Sequence, residues 1–349
     1  MAKFDYGPQF LRLQALHRKT RMNIPLTIAV GDYEHVRDVT DGTVRVQGAD
    51  LTVLRMSPEE TFYRFINHQE FDVSELSFAK AIAFASQDDP RFVLLPVFPS
   101  RVFRHSSIYV RSSLKLERPE QLAGLRIGVP EWAQTAAVYS RGMLMHEHGV
   151  ALQSAQWFQA GVNDAGRKEK AKLKLPDGVA CTPVPDASLS QMLLDGRLDA
   201  VLSARAPDAF LHHPQQVTRL FADSRAAEQA YFVKTRIFPI MHVLAMRREV
   251  YERNRWLARN LLTAFEQAKN NSLARALDVT ASHFALPWVA DIARDAQVML
   301  GQDFWPYGID ANRVTLEAFC TYAHEQGVAH RPVQPEELFV PEVLSAAKV

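Results

Sequence analysis

The sequence is short of several things, and each absence removes a class of function. Its longest apolar runs, such as FVLLPVF at 92–98, fall far below the roughly 20 residues that cross a bilayer, so a membrane role is not expected. Residues Met1 to Arg21 are basic at LHRKTR but carry no continuous apolar stretch and no small-residue cleavage site, which argues against export and for a cytoplasmic protein. Because Met22 precedes Asn23-Ile24-Pro25 and then a strand, residues 1–23 read as an extension, and 1–21 as dispensable to the fold. The only two cysteines, Cys181 and Cys320, form no CxxC pair, so two ordinary buried thiols are expected rather than a metal site or a disulfide.

Charge of one sign is missing too. Lys+Arg at 40 against Asp+Glu at 39 leaves a net charge of +1, so no global field draws nucleic acid or an anionic membrane, and any anion preference must be local. There is no GxGxxG, Walker A sequence, GxSxG elbow, HExxH or zinc-finger spacing, which weakens dinucleotide, nucleotriphosphate, serine-hydrolase and zinc readings.

What is present is an ordinary globular composition: 47% hydrophobic and 23% charged residues over 349 positions, longer than one core usually serves, so two lobes are expected. LTIAV (26–30) reads as a buried strand ending at Gly31-Asp32-Tyr33. Ser57-Pro58-Glu59-Glu60 combines an N-cap serine, a first-turn proline and a capping-box glutamate, followed by the stripe Phe62, Phe65 and Ile66; it predicts a helix over 58–68. Strands are expected at 71–76, 91–98, 106–110, 125–129, 198–202 and 238–246, and helices at 77–85, 132–147, 188–196, 224–235, 249–274, 288–299 and 312–326. Alternating strands and helices imply parallel sheets with crossover helices. The order predicts an α/β chain that leaves its first lobe and later returns: lobe 1 from 24–108 plus 239–349, lobe 2 from 109–238, two crossovers near 105–112 and 236–242, and a cleft between them. The lysine-rich segment Gly166 to Gly178 reads as a solvated loop.

In open α/β sheets ligands bind beyond the carboxyl ends of the strands. The residues so placed are Asp32 and Tyr33, Glu75 and Ser77, Arg101, Arg104 and His105, Glu131 and Thr135, and Arg205 with Asp208. Arg101 and Arg104 flank a predicted crossover, where a guanidinium could grip a carboxylate through two parallel hydrogen bonds; the alternative is a structural tie to acidic neighbours. Arg205 could bind an anion or pair with Asp208. Gly128 to Thr135 starts a helix directly after a strand, an anion-attracting end that Glu131 complicates. His242 lies in the apolar run FPIMHVLAM, as a structural histidine or as a catalytic one beside the cleft.

Several stretches resemble the 4,5-dihydroxyphthalate decarboxylase family: GDYEHVRDV (31–39), FPSRVFRHSSIYV (98–110), GVPEWAQTAAVYSRG (128–142), SARAPDAF (203–210), FPIMH (238–242) and DFWPYGIDANRVTLEAF (303–319). The resemblance runs from about 24 to 340. It implies a two-lobed type II periplasmic-binding-protein-like fold, and conversion of an aromatic dicarboxylate, 4,5-dihydroxyphthalate, into protocatechuate and carbon dioxide.

Such chemistry needs a cation for the retained carboxylate, a base near the para hydroxyl, an acid aimed at the ipso carbon and a poorly hydrated niche. Arg101, Arg104 and Arg205 suit the first; His105 or His242 the acid; Glu75 or Asp32 the base; Tyr33, Ser77, Thr135 and Glu131 the contacts around the ring. No cofactor is expected; a divalent metal on oxygen ligands such as Asp32 or Glu75 stays as an alternative, as do a non-catalytic binding protein for an aromatic carboxylate and a decarboxylase of another aromatic acid. Association into a homo-oligomer is left open by the sequence.

Overall fold

The computed structural model describes residues 23–89 and 91–344; the expectation for the segment 1–21 lies outside them. Its elements are β1 (Ile24–Ala29), β2 (Ala49–Leu54), α1 (Pro58–His68), β3 (Val73–Ser77), α2 (Phe78–Ser86), β4 (Phe92–Arg101), β5 (Ile108–Arg111), β6 (Arg126–Val129), α3 (Thr135–His148), β7 (Gln156–Gly161), β8 (Cys181–Ser188), β9 (Ala200–Leu202), β10 (Val217–Arg219), α4 (Ser224–Thr235), β11 (Ile240–Arg247), α5 (Trp256–Leu277), α6 (Val289–Leu300) and α7 (Arg313–Glu325), with shorter helical turns between them.

The strands form two sheets, β2-β1-β3-β11-β4 and β10-β5-β9-β6-β7-β8. The first four strands enter one sheet, the next six the other, and β11 returns to lie antiparallel between β3 and β4. Neither sheet is therefore purely parallel: β5 also runs antiparallel to β9 and β10, because the strands that change sheets arrive from the opposite end.

Four strands escape the sequence pattern, β2, β7, β8 and β10. β8 contains Pro183 and Pro185 and occupies a sheet edge, the position that tolerates a missing N–H. The helix expected at 249–274 is broken into Arg248–Arg253 and α5. The segment 166–178 has no regular structure but is not simply solvated: Ala171, Leu173 and Leu175 pack on the core, while the Lys174 N–H donates to the Gly327 carbonyl (2.8 Å) and His330 bonds the Lys172 carbonyl (2.9 Å). Its alternation Lys-Ala-Lys-Leu-Lys-Leu over 170–175 has the period of an extended chain with one face down.

The main apolar core spans both sheets. Phe319 of α7 stacks on Phe78 of α2 (4.9 Å) and on Tyr139 of α3 (4.3 Å), tying the helices of the two halves together. Gly142 makes the α3–α7 approach possible, since a Cβ there would lie 2.3 Å from the Tyr322 ring. A smaller cluster around Tyr109, Leu189 and Val201 fills one face of the second sheet.

Candidate active site

β3 ends in Glu75-Leu76-Ser77 and β11 begins with Ile240-Met241-His242, so the antiparallel pairing sets Ser77 opposite His242 and Glu75 opposite Leu244. On the other side His242 faces Ser100 of β4. Residues directly opposite in a sheet share a face; Ser77, His242 and Ser100 thus form one row. The register slips here, from Leu244 against Leu95 to His242 against Ser100. Pro96 and Pro99 lie in the extra stretch, where their missing N–H groups cost no ladder bonds. Carbonyls freed by the bulge are taken by the 303–308 turn: Pro96 accepts from the Gly308 N–H (2.9 Å) and Phe98 from Trp305 Nε1 (3.1 Å).

Glu75 is fully buried and every one of its bonds is specific. Oε2 accepts the Gly31 N–H (2.8 Å), and Oε1 accepts the Tyr33 hydroxyl (2.7 Å) and lies 2.5 Å from His242 Nδ1. Burial would raise its carboxyl, but the His242 charge and these donors outweigh burial and hold it below the usual carboxylate range. Burial and the adjacent carboxylate drive the Tyr33 phenol upward, so it stays protonated as the donor. Gly31 is required by this arrangement, since a Cβ would sit 2.6 Å from the Tyr33 ring that folds back over it. His242 keeps 17% of its side chain exposed; Phe62 from α1 packs edge-on against it at 4.9 Å, and the hydrogen bonds of its ring to Tyr33 and Glu75 both run through Nδ1. His35 stands behind Tyr33, between that ring and Trp305, neutral because burial brings its imidazole down to about 4.

Ser77 Oγ and Thr135 Oγ1 are 2.9 Å apart, and Thr135 also accepts the Ala79 N–H (3.1 Å). The start of α3, carried by the second sheet, therefore sits over the Ser77–His242–Ser100 row. Further out, Lys80 of α2 pairs with Glu131 (2.8 Å), while Arg167 pairs with both Glu131 (2.7 Å) and Glu59 of α1 (2.9 Å). These pairs cross from one half to the other. Glu131 is consumed by them: burial would raise its carboxyl, and Lys80 and Arg167 hold it low, so it neither repels nor binds an anion.

Other expected site residues fall elsewhere. Asp32 points outward, 78% exposed, with Arg55 at 3.8 Å, and cannot serve the Glu75 cluster. Arg101 is buried, its terminal nitrogens donating to Phe238 O (3.1 Å), Pro306 O (2.6 Å) and Asn312 Oδ1 between the rings of Phe98 and Phe238, while its Nε has no partner; both terminal nitrogens are thus taken by structural acceptors. His105 lies among Phe221 and Tyr231, its Nδ1 unpartnered. Burial, aided by the nearby His148, lowers that imidazole to about 4, which makes it a poor proton donor near neutrality. Arg205 is exposed after β9, and its charge is felt by Glu59 in the first turn of α1, one helical turn from Phe62 and so on the same face.

Arg104 has a different environment. It contacts Met241 Sδ (3.1 Å) and Ser107 Oγ (3.4 Å) and forms no ion pair among the described residues. Phe62 and Ser100 beside His242 and Ser107 beside Arg104 are the neighbours that sequence reasoning missed. Only Phe62 left a signal, as part of the apolar stripe of α1, and nothing in the sequence says that the stripe ends on an imidazole.

Among the described residues no three or more His, Cys, Asp or Glu side chains cluster as a metal-ligand set, and no helix is long and apolar enough to cross a membrane. Cys181 and Cys320 are free.

No family model matches the chain. It is 38% identical to 4,5-dihydroxyphthalate decarboxylase of Comamonas testosteroni over 327 residues, covering 93% of this chain and 99% of that one. It is likewise 38% identical to 4,5-dihydroxyphthalate decarboxylase of Pseudomonas putida over 208 residues, 59% of this chain and 81% of that one. Among solved structures it resembles the periplasmic sulfonate-binding protein SsuA from Methylobacillus flagellatus, with a TM-score of 0.56 at 11% identity over 93% of each chain. That likeness concerns the fold, which is two-lobed and periplasmic-binding-protein-like.

Proposed function

The chain belongs to the 4,5-dihydroxyphthalate decarboxylase family, and we propose that it removes one carboxylate of 4,5-dihydroxyphthalate as carbon dioxide, leaving protocatechuate. The observation that carries this reading is the buried, ionised Glu75 gripping Nδ1 of His242 at 2.5 Å. A carboxylate at Nδ1 supports the imidazolium and leaves Nε2–H as the proton to be donated. With Tyr33 and the Gly31 N–H also on Glu75, the acid is held in one orientation.

In the reaction His242 gives the Nε2 proton to the ring carbon bearing the departing carboxylate, as the para hydroxyl releases its proton to solvent and the ring becomes a dienone. The carbon–carbon bond then breaks, its electron pair restores the aromatic ring, and the phenol regains a proton. One proton is consumed overall as carboxylate becomes carbon dioxide. The apolar edge of Phe62 beside the imidazole suits a leaving group that sheds its charge. Glu75 has both oxygens engaged and acts as the group that orients and charges His242, while the expected alternative base, Asp32, faces solvent.

Purified protein incubated with 4,5-dihydroxyphthalate should release carbon dioxide and form protocatechuate in equal amounts. Tight binding without release would identify a binding protein instead, and release only from a different aromatic acid would move the substrate.

A further inference from the structure

Two guanidinium groups, Arg101 buried and Arg104 half-buried, flank the first crossover, and their hydrogen-bond partners differ. Arg101 is surrounded by carbonyl oxygens. Arg104 has only a thioether at 3.1 Å and a hydroxyl at the long distance of 3.4 Å. Burial lowers it to about 10, as it does Arg101, and no carboxylate pairs with it among the described residues. The acidic group that acts on it, Glu228 of α4, makes no ion pair with it; Glu228 accepts the Ser106 N–H at 3.3 Å, and burial raises its carboxyl.

The backbone adds a second unmatched group. β5 and β9 pair with Ile108 opposite Leu202, and the Ser203 N–H donates to the Ser107 carbonyl (3.1 Å), so Ser107 and Ser203 are the next pair on the ladder and share a face. Arg104 already reaches Ser107 Oγ on that face. Ser203 is 1% exposed, and its hydroxyl has no partner. A half-buried cation without a carboxylate partner and a buried hydroxyl without a partner thus both neighbour Ser107 at the carboxyl end of β9, where ligands bind in sheets of this kind. Met241, the thioether against Arg104, directly precedes His242 in β11, so Arg104 reaches the same end of that strand as the proton donor.

We propose that Arg104, Ser107 and Ser203 form the recess that receives the carboxylate retained by the substrate, with Arg104 as the charged anchor and Ser203 donating a hydrogen bond to the same group. That this carboxylate is the retained one rests on the decarboxylase reading; the recess itself is an aromatic-carboxylate subsite whether or not the ring reacts. It makes the site selective for rings bearing a second carboxylate beside the one that leaves.

The test is calorimetric titration of the full chain with phthalate, which has both carboxylates and no hydroxyls, and with catechol, which has the hydroxyls alone. Replacing a charged hydrogen-bond anchor should weaken phthalate on the order of 100-fold in Arg104→Met, with catechol affinity within about twofold of wild type by the same reasoning. Ser203→Ala, nearly isosteric and safe for the fold, should weaken phthalate several-fold with the same ligand selectivity. Unchanged phthalate affinity in a folded Arg104→Met or in Ser203→Ala overturns the recess, as does equal loss of both ligands or a wild-type protein that ignores phthalate. If Arg104-dependent phthalate binding is found but 4,5-dihydroxyphthalate yields no carbon dioxide, the recess stands and the decarboxylase reading fails. If 4,5-dihydroxyphthalate is turned over while phthalate affinity is indifferent to Arg104, the decarboxylase reading stands and the recess fails.

Discussion

Glu75→Gln isolates the electrostatic part of the site. The substitution keeps size and at least one acceptor for Tyr33 or the Gly31 N–H, but removes the charge that lies against His242 Nδ1. At about 4 Å between charge centres and an effective dielectric near 20, a carboxylate attracts a cation by about 4 kcal/mol, which bounds what Glu75 can lend to positive charge developing beside it. The imidazole is one-sixth exposed, so the full figure is an upper bound, and kcat for 4,5-dihydroxyphthalate should fall by roughly 100- to 1000-fold. Stability supplies an independent check. The folded carboxyl lies below its ordinary value, so its contribution is complete above an unfolded value of about 4.3 and fades as pH drops through the lower folded value. The Tm gap between wild type and variant should therefore be widest near neutrality and close below about pH 4. A folded Glu75→Gln with kcat within a few-fold of wild type would refute the assignment of Glu75 as the support of the proton donor.

The remaining expectations concern neighbouring parts of the site. His242→Gln should abolish turnover and His105→Gln should retain most of it, measured as kcat on folded protein; the opposite result would exchange their roles. Arg101→Met leaves Phe238 O and Asn312 Oδ1 without their donor, while Pro306 O keeps Asn312 Nδ2, at a cost of about 2–3 kcal/mol or more; the urea midpoint should fall while kcat of the folded enzyme stays within a few-fold, and a large kcat loss at unchanged stability would return Arg101 to the substrate. Glu131→Gln takes one of two carboxylate partners from Lys80 and from Arg167, which keep Glu169 and Glu59, and should destabilise the fold by about 1–3 kcal/mol at neutral pH. Because the folded Glu131 carboxyl is held low, that deficit should shrink only in acid below the ordinary carboxylate range, as followed by denaturation midpoints across pH; a deficit independent of pH would mean the charge is not its source.

What the sequence settled by itself was mostly local. Ser57-Pro58 started α1, the apolar runs marked β1, β3, β4 and β11, and the order of elements foretold a chain that leaves one sheet and returns, because hydrophobic period, caps and turns act between residues near in the chain. It also nominated Glu75, Tyr33 and His242 one by one, since each follows or occupies a strand. Only the tertiary structure decided which nominees meet. Glu75 and His242 are 167 residues apart and touch because β11 inserts antiparallel beside β3 in one particular register; a shift of one residue would have turned the imidazole to the other face. The same long-range packing buried Arg101 in carbonyls, enclosed His105 in aromatic rings and matched Glu131 with cations from two other segments. A side chain's chemistry is set by the groups around it and by how much water they exclude, and those neighbours come from remote parts of the chain.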